Sequence, residues 1–112
     1  MNANLLASWF LGFLGDSKTA KLKCGATWRA SPIGNKGVDY SMLGLSLSVE
    51  FYPGGEKYSL EVSRRGNDGI IREFDVPYVG KNKNKPNWKK VFDINRGVAK
   101  ELVDLEALAN SK

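Results

Sequence analysis

A chain of 112 residues with 42% hydrophobic side chains and three tryptophans has room for one folded domain and enough apolar surface to hold it together. Histidine is absent and Cys24 is the one cysteine, which excludes an intrachain disulfide, His/Cys zinc sites, a histidine general base and Ser-His-Asp or Cys-His catalysis. The net charge of +5 favours nucleic acid or an anionic surface as the partner, and the lone cysteine points to an intracellular, reducing (cytoplasmic) compartment.

Residues 2–15 predict a helix. Leu5, Leu6, Trp9, Phe10, Phe13 and Leu14 recur at helical spacing over a wide face, and nothing in residues 1–15 is charged. Such a helix is expected to be mostly buried, on its own sheet or against a second subunit. No positive region precedes it and Asp16 follows, so it reads neither as a signal peptide nor, at this length, as a membrane span.

Strands are expected next. In residues 21–30, Leu22, Cys24, Ala26 and Trp28 alternate with Lys21, Lys23, Thr27 and Arg29, the pattern of a strand with one apolar and one basic face. Pro32, Gly34, Asn35 and Gly37 mark residues 31–40 as a loop. In 42–52, Leu43, Leu45, Leu47, Val49 and Phe51 face one way, which suits a central strand, and Pro53-Gly54-Gly55 turns the chain. Tyr58, Leu60 and Val62 alternate next, Gly66 to Gly69 turn again, and Ile70, Phe74, Val76 and Tyr78 share the last apolar face, with Arg72 interrupting it. Residues 90–94 suit a short strand, and Asp93 or Asn95 a cap for a final helix from about Arg96 to Ala109. The expected fold is α+β: one domain, residues 1–112, with a single antiparallel sheet of four to five strands and both terminal helices on one face.

The segment that carries functional information is Gly-Lys-Asn-Lys-Asn-Lys-Pro-Asn-Trp-Lys-Lys at 80–90. It holds five lysines and a tryptophan, and no acidic residue occurs from Val76 to Phe92. Lysines neutralise phosphates and release counterions. Lys81, Lys83, Lys85, Lys89 and Lys90 are therefore the candidate phosphate contacts, with Arg64, Arg65, Lys21, Lys23 and Arg29 extending the track over the sheet. Trp88 reads either as a platform for an unpaired base or as a core anchor. Asp39, Glu50 and Glu61 are the candidates for a magnesium site of nuclease type, although ion pairing of Glu50 and Glu61 with Lys57 or Lys23 is the plainer role.

The order strand, strand, strand, basic loop, short strand, capped helix over residues 41–109, with Lys89-Lys90-Val91-Phe92-Asp93-Ile94-Asn95 leading into the helix, resembles the Whirly and transcriptional-positive-cofactor-like group of single-strand binders. The resemblance implies a curved antiparallel sheet with a helix that packs on it or pairs subunits. The helix at 2–15 departs from the simplest members. The expected function is non-catalytic, low-specificity binding of single-stranded DNA or RNA through a basic sheet face and loop. No cofactor, metal or membrane is expected, and a second copy would join through the N- or C-terminal helix. The alternative is a protein-interaction, inhibitor or assembly module that uses the apolar first helix.

Overall fold

The computed structural model describes residues 2–16, 31–34, 36–64, 69–80 and 85–110. The elements run α1 (Ala3–Asp16), β1 (Ser31–Ile33), β2 (Gly37–Met42), β3 (Leu45–Phe51), β4 (Lys57–Ser63), β5 (Ile70–Asp75) and α2 (Trp88–Asn110). The strands form one antiparallel meander in the order β1-β2-β3-β4-β5, which puts β3 at its centre. The α+β layout expected from the sequence is the observed one.

Alternation selects the buried face of the sheet. Val38, Tyr40 and Met42 on β2, Leu45, Leu47, Val49 and Phe51 on β3, and Tyr58, Leu60 and Val62 on β4 are all buried. The register aligns them, as in Tyr40↔Leu47↔Val62 and Val38↔Val49↔Leu60. Two helices cover this face. α1 contributes Ala3, Leu6, Ala7, Phe10 and Leu14, and α2 contributes Val91, Phe92, Val98 and Ala99.

Several local expectations give way. Residues 31–40 are not a loop: β1 and the first part of β2 pair there, with Ile33 opposite Gly37. β-branched Val38 and aromatic Tyr40 supply strand propensity that the nearby turn residues had masked. Leu43 is not part of the central apolar row. It sits with Gly44 in a two-residue hairpin loop between Met42 and Leu45, with φ of 55° and 75°. That loop type requires positive φ at both positions, so Leu43 carries left-handed strain and an exposed side chain. The strand expected at 21–30 lies outside the described residues.

α1 begins with the Asn2 Oδ1 accepting a hydrogen bond from the Leu5 amide at 2.8 Å, an N-cap that the apolar count did not anticipate. Its burial is narrower than expected. Leu6, Phe10 and Leu14 face the core, whereas Leu5 and Trp9 are 45% and 41% exposed.

The last helix differs most. Residues 90–94 are helical, not a strand, and the cap is Asn87, whose Oδ1 accepts from the Lys90 amide at 3.2 Å. Asn95 lies mid-helix and is fully buried. Val91, Asn95 and Val98 share the face that meets the sheet; the polar residue in that row made the helical period look broken. The Tyr58 hydroxyl donates to Asn95 Oδ1 at 2.8 Å, and Asn95 Nδ2 donates to the Tyr40 hydroxyl at 3.0 Å. One amide thereby ties α2 to β2 and β4 across the central strand.

Replacing Asn95 with leucine keeps the branched shape at a larger volume but removes the acceptor of the Tyr58 hydroxyl and the amide donor to Tyr40. We expect a loss of about 2–4 kcal/mol in denaturant unfolding, against about 1–2 kcal/mol for Tyr58→Phe, which leaves only the amide oxygen without its donor.

Candidate nucleic-acid interface

The base of the basic loop is pinned on both sides. The Val79 amide donates to the Lys85 carbonyl at 2.8 Å and the Asn87 amide to the Pro77 carbonyl at 2.8 Å, closing a short antiparallel stem around Tyr78 and Pro86. The Tyr78 hydroxyl reaches back to the Gly55 carbonyl at 2.7 Å, so the stem is held to the β3–β4 turn. The chain then enters α2 through the Asn87 cap. Lys85, Lys89 and Lys90 are exposed at this corner, and none pairs with a described carboxylate.

Other sequence candidates fare differently. Lys81, Lys83, Arg65, Lys21, Lys23 and Arg29 lie outside the described residues. Arg64 is engaged: its Nε and second guanidinium nitrogen donate to the two Glu106 oxygens at 2.8 and 2.9 Å, a bidentate clamp from the end of β4 to α2. Trp88 is partly buried, its ring centroid 5.3 Å from Phe10 and 5.9 Å from Phe51. Of the two readings of this side chain, those contacts are the ones a core anchor makes.

Two cations escaped the sequence reading because α2 was expected to start later. Lys89, Arg96 and Lys100 fall at spacings of seven and four residues, so they share one solvent-facing stripe, about 17 Å long, with Asp93 between them. Arg96 and Lys100 also form no ion pair with a described carboxylate. Helical spacing counted from Lys89 was the signal that could have found them.

The described strands do not present the expected basic sheet face. The side of β2–β5 away from the helices carries Asp39, Glu50, Glu61, Glu73 and Asp75, against one lysine, Lys57. Lys57 is not the partner of Glu50 or Glu61. It lies 3.4 Å from Glu73 and 3.8 Å from Asp75. The floor between the carboxylates is serine: Ser41, Ser46, Ser48, Ser59 and Ser63. Asp39 accepts a short hydrogen bond, 2.5 Å, from the Ser48 hydroxyl. Among the described residues no group of three or more acidic or cysteine side chains is arranged to hold a metal ion, and no helix is long and apolar enough to cross a membrane.

Two carboxylates, Glu73 and Glu106, titrate low. The Tyr52 hydroxyl and then Lys57 hold Glu73 below its ordinary range, and the Arg64 guanidinium does the same for Glu106. The shared hydrogen bond with Glu73 also raises the Tyr52 phenol, and burial raises those of Tyr58 and Tyr78.

Comparison with protein-family models, curated proteins and solved structures returned no match.

The lowered carboxylates set an acid limit. A group whose pKa is depressed by folding contributes stability above its unfolded value and loses it as the pH falls through the folded one. For Glu73 and Glu106 the loss therefore begins below the ordinary value of 4.5. Melting temperatures from pH 7 downward should show the gap between the wild type and Glu106→Gln closing over that acid range; a gap that is constant with pH would contradict the Arg64–Glu106 clamp.

Proposed function

We propose that this domain is a non-catalytic binding module that grips the phosphate backbone of nucleic acid, with little sequence preference, at the corner where the basic loop enters α2. The observation that carries the reading is the set of exposed cations, Lys85, Lys89, Lys90, Arg96 and Lys100, none of them neutralised by a described carboxylate. The positive end of the α2 dipole lies at the same corner and adds to the attraction for an anion. The acidic character of β2–β5 moves the contact off that part of the sheet and onto the helix. With Trp88 packed on Phe10 and Phe51, affinity comes from charge and not from base stacking.

The salt dependence of binding tests this. If the five cations each neutralise one phosphate, the log–log slope is about −3.5 on a single strand and about −4.5 on a duplex. Charge reversal of Lys85, Lys89 and Lys90 should remove most of the binding to an oligonucleotide, and a slope near zero for the wild type would refute the reading.

A second reading is favoured by α1. Leu5 and Trp9, one turn apart on a helix with no charged residue before Asp16, are both partly uncovered. An exposed aliphatic–indole pair suits a protein partner. Removing residues 1–15 would not test this cleanly, because Leu6, Phe10 and Leu14 belong to the core. The substitutions Leu5→Glu and Trp9→Glu change only the outer face. If a partner docks there, they should abolish its binding while leaving the unfolding midpoint nearly unchanged; retained binding would remove α1 from consideration.

A further inference from the structure

The layered fold separates charge in a way that one molecule cannot relieve. α2 packs on one face of the sheet, and its outward stripe carries Lys89, Arg96 and Lys100. Asp39, Glu50 and Glu61 project from the opposite face, with the sheet in between. Glu50 and Glu61 are exposed, and neither is in an ion pair with a described cation. The domain is thus cationic over the first half of α2, where Lys89, Lys90, Arg96 and Lys100 outnumber Asp93, and anionic on the β2–β5 side, while the whole chain has a net charge of +5.

We infer that the acidic, serine-floored face of the sheet docks the basic stripe of α2 from a second copy of this chain. Shape favours the pairing. Ser41, Ser46, Ser48, Ser59 and Ser63 are small and leave room between the carboxylates for a helix to approach. Spacing favours it as well. Asp39 and Glu61 flank Ser48 in one row, two strand spacings or about 10 Å apart. Lys89 and Arg96 are seven residues apart, also about 10 Å. Glu50, one strand over and two residues along from Glu61, stands about 8 Å from it and adds a third carboxylate to the same face.

The contact joins two different surfaces, so it is head-to-tail and propagates into short chains rather than closing as a two-fold dimer. Because exposed ion pairs are individually weak, the association is weak and sensitive to salt. Nucleic acid on the same α2 cations competes with it, so backbone binding and self-association exclude each other at that helix.

Light scattering at about 0.05 M and about 0.5 M salt, on either side of the screening range, gives the test. The wild type should exceed the mass of one chain at low salt and fall to it at high salt. The variants Glu50→Lys/Glu61→Lys and Lys89→Glu/Arg96→Glu/Lys100→Glu should each be monomeric at low salt. An equimolar mixture of wild type with either variant should stop at short assemblies, because each variant retains only one of the two complementary surfaces. A wild type that stays monomeric at low salt, or a double or triple variant that assembles like the wild type, overturns the inference. So does loss of assembly in Leu5→Glu/Trp9→Glu alone, which would assign the contact to α1. A Glu50→Gln/Glu61→Gln variant removes the acidic charges, adds no cation and keeps the lysine corner, so its oligonucleotide binding reports on the proposed function independently of assembly.

Discussion

The buried amide of Asn95 is the constraint on which the placement of α2 depends. Its oxygen and nitrogen are satisfied by two tyrosine hydroxyls from strands on either side of β3. An apolar residue there would let the helix slide or rotate over a greasy sheet at little cost. A buried amide cannot, because each displaced position leaves polar groups without partners. Rotation of α2 is therefore set, and with it the direction in which every other α2 side chain points. Lys89, Arg96 and Lys100 face solvent because Val91, Asn95 and Val98 face the sheet.

Three further contacts orient the rest of the helix. The Asn87 cap starts it, the Arg72–Glu101 pair at 3.1 Å ties its middle to the edge strand, and the Arg64–Glu106 clamp anchors it beyond the end of β4. These are surface interactions of modest energy, and their effect is positional. They also determine which cations remain available: Arg64 and Arg72 serve the fold, whereas the loop and helix lysines serve none of the described ion pairs. The short stem at Val79 and Lys85 does the corresponding work for the loop, delivering Lys85 to the same corner as Lys89 and Lys90.

The charge separation between the two sides follows from the same layering. A strand alternates its side chains, so burying Tyr58, Leu60 and Val62 forces Lys57, Ser59 and Glu61 outward. The same parity sends Ser48 and Glu50 out from β3, and Glu73 and Asp75 out from β5. Because those outward positions are serine or acidic in most of the described strands, the positive charge of the chain concentrates elsewhere. A sum over the sequence conceals this, since it registers only the excess of lysine and arginine.

The sequence by itself determined the fold class, the β3-β4-β5 part of the meander, the apolar rows of β3 and β4 and the presence of two terminal helices. Each of these is written in a local period of two or about 3.6 residues, which burial on one face imposes on any chain. It also determined that a lysine-rich segment stands just ahead of the last helix. Only the tertiary structure decided where that helix begins, because Asn95 looks like a cap until Tyr40 and Tyr58 are brought beside it. Only the tertiary structure decided that Arg64 is occupied by Glu106, that the Trp88 ring packs on Phe10 and Phe51, and that acidic side chains from four strands share one surface. Those facts depend on residues tens of positions apart meeting in space, and no local period encodes such a meeting.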